Sequence, residues 1–379
     1  MRHKALQGFF SEVQFVPSAL QGSYFPSLDG LRGIAIIMVV LSHLHLTSRF
    51  YYNIIFNGEL GVLIFFVLSG FLITTLCIKE KVITKNISLK NFYMRRALRI
   101  FPVAYLYLTV LILLNLVFKI NVNYISILGA ALYLTDISSY FRKYNFSWDT
   151  GHYWSLAVEE QFYLIIPFVL KKRFKVYLLI LLFIVFVLPL FIWLQYAVPP
   201  LNNIILYAVT HFLIKFQAIA VGCLFSVLLF KYNFNNAIIV KTKLITNSVA
   251  IFLALIMEYD NFFTIKSMFS GLAISILTGY VIITNIVPGK DLIFKFLNLK
   301  ILKTAGVLSY SIYIWQQVFV SNDKRLPGFM TTYPYNIICI VLVSGLSYYF
   351  YESFFLRLKS KFSKIPKKQP ASVYMVDSI

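Results

Sequence analysis

The side chains of this sequence that are best suited to chemistry are ionisable groups inside strongly apolar segments. Residues 28–43 read LDGLRGIAIIMVVLSH, with Arg32 near one end and His43 at the other. Eleven residues of helix make three turns plus roughly 20°, so both side chains share one face, about 16 Å apart along the axis. Ionisable groups in hydrocarbon usually face a bundle interior or a wet cavity. Alternatively, Arg32 extends to the headgroups and His43 is a hydrogen-bonded packing residue.

A second segment of this kind, GHYWSLAVEEQFYLIIP at 151–167, places the adjacent carboxylates Glu159 and Glu160 in an apolar helix. His152 precedes Glu159 by seven residues, so the two share a face roughly 10 Å apart along the axis. Because carboxylates are costly in a membrane, the segment predicts a functional role or a buried polar network. His43 and Glu159 lie at similar depths, about 8 and 12 Å from the outer ends of their spans. A His–carboxylate pair between the two helices is therefore geometrically possible.

Three arginines, Arg95, Arg96 and Arg99, precede Pro102 in the stretch YMRRALRIFP. We expect them in a basic loop, 79–99, that leads into an apolar span. Guanidinium groups recognise phosphate through several planar donors, and helix N-termini favour anions. The alternative is that this charge only orients the chain in the membrane and contacts lipid headgroups.

The composition identifies the class of protein that must position these groups. Of 379 residues, 59% are hydrophobic and only 13% are charged, whereas a soluble domain carries roughly twice that charged fraction. Repeated apolar runs near 20 residues long predict an all-α, polytopic membrane protein embedded in a lipid bilayer. The net charge of +21 is scattered between those runs, a pattern that sets membrane orientation and gives no reason to expect a nucleic-acid partner. Three isolated cysteines form no metal-ligand spacing, so no metal site is expected.

We predict about ten transmembrane helices within one membrane domain, 28–356. This domain lies between an N-terminal segment, 1–27, and a basic tail, 357–379, that lacks regular structure. Segment 1–27 lacks the features of a removable signal peptide. Segment 124–137 is too short to span, and we predict that it is re-entrant or interfacial. The predicted spans are 28–48, 59–78, 100–118, 151–170, 175–194, 205–230, 243–258, 267–287, 304–321 and 334–356.

The distribution of basic residues predicts the orientation of these spans. With the N-terminus inside, 26 Lys and Arg residues fall in inner segments and seven in outer segments. Cytoplasmic loops carry such an excess, so we expect both termini to be cytoplasmic.

Small and polar residues interrupt three of the predicted spans. The second span alternates Gly58, Gly61, Ser69 and Gly70 with bulky residues, and close helix packing explains them more simply than chemistry does. The sixth span contains an i,i+4 pair, His211 and Lys215. The ninth span contains SYSIYIWQQ at 309–317, whose polar and aromatic groups either line a cavity or pack.

Four motifs resemble those of the acyltransferase family 3 in content and in order. They are LDGLRGIAIIMVVLSH with its R-x10-H spacing, GELGVLIFFVLSGFLIT at 58–74, the RxxR of Arg96 and Arg99, and HYWSLAVEEQFY at 152–163. The resemblance covers essentially the whole chain. It implies an integral membrane enzyme of the bacterial inner membrane that O-acetylates cell-surface saccharides, with ten transmembrane helices and cytoplasmic termini. Some members carry an additional SGNH-type esterase domain, which we do not expect in this chain.

The resemblance implies transfer of an acyl group, most simply acetyl, from acyl-CoA to a saccharide hydroxyl, with acetyl-CoA as co-substrate and no metal. Arg96 and Arg99, with Arg95 beside them, then hold the CoA phosphates, and Arg32 lies at the CoA or thioester end. His43 acts as the general base on the acceptor hydroxyl, since imidazole takes up a proton near neutral pH.

The remaining polar residues of the fourth motif complete the predicted site. Glu159 orients the imidazole of the predicted base, by the logic of a hydrolase triad. We assign His152, Trp154 and Glu160 to the saccharide acceptor. His45 is not the expected base, because a side chain two residues from His43 points about 200° away from it.

The chain departs from the family pattern at two places, and one rival function fits the same residues. Members often show Trp-His near the ninth span and Glu-x-Pro near the C-terminus, where this chain has Trp315-Gln316 and Glu352-Ser353-Phe354.

Intramembrane Arg, His and Glu also suit a proton-coupled secondary transporter, although no internal repeat relates the two halves. A lipid-regulated structural protein would explain the basic segments but not the intramembrane carboxylates.

Overall fold

The computed structural model describes residues 8–22, 24–44, 58–137, 148–198, 204–232, 236–258, 268–321 and 323–362. Throughout these ranges the chain forms helices and connecting turns, and no β-strand occurs in them. The all-α class predicted from the apolar runs is confirmed. His45 lies outside the described residues.

The helices follow the apolar runs of the sequence. In chain order they are α1 Pro26–His43, α2 Gly58–Thr84, α3 Leu89–Phe118, α4 Tyr124–Ala131, α5 Tyr153–Lys172, α6 Phe174–Leu182, α7 Leu188–Ala197, α8 Ile204–Ile214, α9 Gln217–Lys231, α10 Asn236–Glu258, α11 Met268–Ile286, α12 Leu292–Leu297, α13 Lys300–Phe319, α14 Gly328–Thr331, α15 Tyr335–Leu346 and α16 Ser353–Ser360. Helices α6 and α7 are joined by a π-helical segment, Phe183–Val187, and α15 and α16 by another, Ser347–Glu352.

Every predicted span coincides with one or more consecutive helices. Among the described residues, six helical segments are long and apolar enough to cross a membrane, or seven if the pair α8 and α9, bent by 45°, is one span. Helices α5 and α13, each 20 residues long, fall outside that set, and both carry polar side chains. The chain is therefore a multi-pass helical membrane protein, while the number of ten spans and the orientation of the termini stay predictions.

The predicted basic loop at 79–99 is wrong. Helix α2 continues to Thr84 and α3 begins at Leu89, so only four residues connect them. Helix α3 also runs through Pro102, whose ring removes one backbone hydrogen bond without ending the helix. The three arginines of the YMRRALRIFP stretch therefore project from within a helix, and the anion affinity of a helix N-terminus does not apply to them.

Helix α1 lies at the centre of the fold, packed most extensively against α13 and α2. Glycines permit this packing: a Cβ on Gly306 of α13 would overlap the carbonyl oxygen of Asp29, and one on Gly61 of α2 would overlap that of Ala35. Gly70 brings α2 equally close to α9 at Ile219. The packing role predicted for the second span's glycines is thus confirmed, and α1 is held between two helices by backbone contact.

Two eight-residue helices, α4 and α16, complete the frame. Helix α4 has eight residues and is about 12 Å long, far short of the hydrocarbon thickness of about 30 Å, as expected for segment 124–137. Helix α16 continues to Ser360 and packs against α3. The predicted tail, 357–379, therefore begins as helix, and its residues 363–379 lie outside the described ranges.

Candidate active site

A cavity of about 130 Å³, here called the polar cavity, lies where α1, α2, α3, α5 and α13 meet. Each of the motif-bearing helices contributes to its wall. The cavity is lined by Arg32, Val62, Phe65, Phe66, Leu68, Ser69, Arg96, Arg99, Ile100, Ser155, Leu156, Glu159, Ser309, Tyr310 and Tyr313.

Three guanidinium groups reach this cavity. Arg32 pairs with Asp29 one turn earlier on α1, at 3.1 Å. Arg96 and Arg99 are three residues apart on α3 and therefore share a face. The Arg96 guanidinium carbon lies 5.1 Å from the centroid of the Tyr163 ring, and that of Arg99 lies 5.8 Å from the centroid of Tyr310. Cation–π contacts of this kind hold the two arginines in place without neutralising them.

Arg95 points elsewhere, although it neighbours Arg96 in sequence. Its guanidinium pairs with the buried carboxylate of Glu80 at 3.0 Å and donates to the carbonyl oxygen of Phe362 at 2.7 Å. Consecutive residues on a helix are 100° apart, so only one of the two can face the cavity. The structure thus brings Arg32, Arg96 and Arg99 together and places Arg95 at the contact between α3 and the C-terminal segment.

Positive charge accumulates around the cavity. Arg99 is repelled by Arg32 and attracted by the carboxylate of Glu352, which is buried and hydrogen-bonded to Ser311 and Ser347. The Lys359 ammonium on α16 interacts electrostatically with the arginines of α3 and with Arg32. Such a site favours a ligand with several negative charges.

Glu159 is the carboxylate of the cavity wall. It lies within hydrogen-bonding reach of the Ser69 and Tyr163 hydroxyls and interacts electrostatically with Arg96 and Arg32. The Ser69 and Tyr163 hydroxyls also bond to each other. His43 is not among the neighbours of Glu159 in the described residues. The arrangement therefore links Glu159 to the arginines rather than to the predicted general base.

A chain of hydroxyl contacts extends from the cavity to His152. The Ser155 and Tyr313 hydroxyls share a hydrogen bond of 2.6 Å, and the Tyr313 hydroxyl donates to the carbonyl oxygen of His152 at 2.9 Å. The His152 ring is buried and packs edge-on against Tyr107, Tyr153 and Tyr313. In the described part of the chain neither ring nitrogen has a partner in hydrogen-bonding geometry, and the ring lies against the backbone of Ile314.

His43 lies near this end of the chain of hydroxyls. It is the last residue of α1, half-buried, with its Nδ1 atom 2.7 Å from the carbonyl oxygen of Val39. It interacts electrostatically with His152. If the Nδ1 atom of the neutral imidazole donates this hydrogen bond, the Nε2 atom is unprotonated and can accept a proton. The structure therefore brings His43 near His152. Arg32 lies about three turns earlier on the same helix, α1.

The other two residues assigned to the acceptor lie outside the cavity lining. Trp154 is partly exposed and packs edge-on against Phe66 at 5.9 Å between ring centroids. Glu160 interacts electrostatically with Arg96, and its buried Oε1 atom has no hydrogen-bond partner among the described residues. Neither side chain lines the cavity, although each contacts or interacts with a residue that does.

Lys215 and His211, noted as a helical pair, belong to a different polar cluster. The Lys215 ammonium donates to the Asp136 carbonyl oxygen at 2.5 Å and lies 3.8 Å from its carboxylate. Gln161 donates to the same carboxylate at 2.8 Å. Burial raises the pKa of the Asp136 carboxyl, and these two donors oppose that shift. The cluster ties α5 and the turn between α8 and α9 to the segment after α4.

Sequence reasoning does not identify two polar groups of the cavity. It explains Ser69 by helix packing and does not single out Ser155. It also does not single out Lys359, which lies outside the cavity lining but interacts electrostatically with its arginines. For the ninth span, the alternative that its polar groups line a cavity is confirmed by Ser309, Tyr310 and Tyr313. The signal that could have found Ser155 is its spacing, because it precedes Glu159 by four residues and shares its face.

Comparison with known proteins gives one family and a consistent set of relatives. A family model described as an acyltransferase domain matches residues 25–355. The O-acetyltransferase OatA of Staphylococcus aureus strain NCTC 8325 / PS 47 is 31% identical over 376 residues, which cover 91% of this chain and 60% of the relative. A putative O-acetyltransferase of Staphylococcus aureus strain COL is 30% identical over 358 residues, covering 87% and 57%. The chain thus spans about 60% of the length of these relatives. No solved structure matches it.

Proposed function

The chain belongs to this acyltransferase domain family, and from that premise we propose that it is a membrane O-acetyltransferase. The proposed reaction moves an acetyl group from acyl-CoA to a hydroxyl of a cell-surface or lipid-linked saccharide, at the bacterial inner membrane. The observation that carries the proposal is the polar cavity, in which Arg32, Arg96, Arg99 and Glu159 from three motif-bearing helices face one space.

The donor end of the proposed reaction is the arginine group. CoA carries several phosphate charges, and arginine binds phosphate through paired, charge-assisted hydrogen bonds. Arg96 and Arg99 supply such donors from one face of α3, and the Lys359 amine lies within electrostatic range of both. Arg95 joins this group only if its pair with Glu80 opens.

The acceptor end of the proposed reaction is His43. A saccharide hydroxyl is too weak an acid to attack a thioester unaided, so removal of its proton accelerates the reaction by about 10²–10⁴-fold. His43 takes that proton, the hydroxyl oxygen forms a bond to the thioester carbonyl carbon, and the carbon–sulfur bond then breaks. The proton passes to the leaving thiolate, so the products are an acetyl ester and free CoA.

The distance between the two ends is set by α1. Arg32 and His43 lie on one continuous helix, roughly 16 Å apart along its axis, a length comparable to the pantetheine arm of CoA. We propose that Glu159 positions Arg96 and Arg32, in place of the imidazole-orienting role that the sequence favoured. His152, Trp154 and Glu160 remain our proposed acceptor contacts, with His152 supported by its electrostatic interaction with His43.

The test is an assay of the full chain in lipid nanodiscs with acetyl-CoA and a panel of cell-surface saccharides. We expect CoA thiol release that depends on the acceptor, matched by an acetylated saccharide of the corresponding mass. Arg96→Gln should lower the release, whereas Arg173→Gln, an exposed arginine on the α5–α6 turn, should not. A proton-coupled transporter would move substrate across sealed vesicles without releasing CoA, and that outcome would replace the proposal.

A further inference from the structure

A second, larger cavity lies on the other side of α1. It has a volume of about 610 Å³ and is formed by α1, α2, α10, α11, α12 and the start of α13. We call it the lateral groove. Its wall contains one polar side chain, Thr278, and is otherwise aliphatic or aromatic, with Leu31, Met38, Ala254, Val281, Leu292 and Phe296 among its members.

The groove opens at the protein surface, where the bilayer lies against a multi-pass helical protein. Leu292 and Phe296 of α12 are 70% and 52% exposed although both line the groove. They are four residues apart and so form one apolar face of a short helix. Leu299 and Ile301, just beyond α12, are also exposed. Exposed apolar side chains in this number indicate insertion into a lipid phase.

The depth of the groove corresponds to one leaflet. Its wall on α1 runs from Leu31 to Leu41, about 15 Å of helix, which is half of a hydrocarbon core about 30 Å thick. Helix α12 borders the mouth of the groove at its Leu31 end, where the Gly30 backbone contacts Leu297. The mouth of the groove at α12 therefore corresponds to the position of a lipid headgroup. The far end of the groove corresponds to the end of the lipid's acyl chain.

Basic residues surround this mouth. Lys290, Lys295 and Lys300 are exposed on the segment that carries α12. The nearby Asp291 carboxylate is already engaged, because it pairs with the Lys243 ammonium at 3.4 Å and accepts from the Phe294 backbone N–H at 2.9 Å. Among the described residues, no acidic side chain forms an ion pair with Lys290, Lys295 or Lys300. An apolar channel next to these lysines is complementary to a molecule with an apolar chain and an anionic head.

We propose that the lateral groove binds an acyl chain of an anionic glycerophospholipid of the bilayer, with its phosphate headgroup at Lys290, Lys295 and Lys300. A peptide segment fits poorly, since the wall offers almost no partners for backbone N–H and C=O groups. The bound acyl chain packs against the face of α1 opposite to Arg32. It therefore supports the helix that carries this arginine.

The experiment uses the full chain in phosphatidylcholine vesicles that contain a small fraction of phosphatidylglycerol with a photoreactive group on one acyl chain. Acetyl-CoA and saccharide are left out, so the result does not depend on the proposed function. After irradiation, labelled peptides are mapped by mass spectrometry. We expect labels on the groove segments of α1, α10 and α11 in excess over the outward surface of α3.

Two variants and two matched controls sharpen the result. Ala254→Trp fills the groove and should remove most of its label, whereas Leu113→Trp, on the exposed surface of α3, should not. Lys295→Gln with Lys300→Gln should lower labelling about 25-fold, at about fivefold per lysine. Lys175→Gln, in another exposed basic cluster, should leave it unchanged.

Three outcomes would overturn the proposal. They are equal groove labelling by photoreactive phosphatidylcholine, labels spread evenly over the membrane surface, and cross-links from the groove to a second copy of the chain. The lysine variants change only exposed side chains, so they test the proposal even if Ala254→Trp fails to fold.

Discussion

Replacement of Arg99 by glutamine should separate ligand affinity from protein stability. Arg99 lines the polar cavity, lies over the Tyr310 ring and is repelled by Arg32. If it binds a CoA phosphate, Arg99→Gln removes one or two charge-assisted hydrogen bonds. Such a bond is worth about 1.5–3 kcal/mol, so the Kd for CoA should rise by about 10- to 150-fold.

The free energy of unfolding should respond differently to the same change. Loss of the contact with Tyr310 costs about 2 kcal/mol, the value for a cation–π contact removed from water. Relief of repulsion from Arg32 and Lys359 offsets part of that loss. Glu352 loses an attractive neighbour but keeps its hydrogen bonds to the hydroxyls of Ser311 and Ser347. The net loss of stability should therefore stay below about 2 kcal/mol.

Isothermal titration of the nanodisc protein with CoA measures the affinity, and thermal unfolding measures the stability. Raising the salt concentration should weaken CoA binding to the unsubstituted protein more than CoA binding to Arg99→Gln. The reason is that salt screens the guanidinium charge, which the variant lacks. Arg99→Lys should fall between them, since lysine keeps the charge and loses the planar fork. A folded Arg99→Gln variant that binds CoA as tightly as the Arg173→Gln control would refute the donor site.

Three further predictions concern the base, the carboxylate and the helix contact. His43→Ala should reduce the transfer rate by about 10²–10⁴-fold with unchanged CoA affinity; normal turnover in a rate assay would exclude His43 as the base. Glu159→Gln removes a negative charge beside the arginines, so titration should show that CoA binds more tightly by about 1 kcal/mol. Weaker CoA binding would contradict the position of Glu159 beside the arginines. Gly306→Val should lower the free energy of unfolding by about 3 kcal/mol or more, as measured by thermal unfolding. The reason is that the Asp29 carbonyl oxygen leaves no room for a side chain at this position. Gly345→Val, with open space around it, is the control, and equal losses would argue against the close contact.

The sequence by itself determined the class of the protein and most of its helices. Apolar runs near 20 residues can satisfy their backbone groups in lipid only as helices, so the spans followed from composition and length. The relation between Arg32 and His43 was also available, because helical periodicity fixes the angle between residues of one helix. The family followed from motifs within single helices. The error at 79–99 has a local cause, since a polar helix continues past its membrane span where hydropathy alone predicts a loop.

Only the tertiary structure decided which helix faces meet. The sequence paired Glu159 with His43 from equal depth, but the fold turns Glu159 toward Ser69 and Arg96 and leaves His152 near His43. It also separates Arg95 from Arg96, which hydropathy and charge treat alike. The rotation and height of one helix against another come from contacts distant in sequence, such as Gly306 on the Asp29 carbonyl. No periodicity within a helix encodes those contacts, so the cavity and the groove on opposite faces of α1 emerged only when the helices were packed.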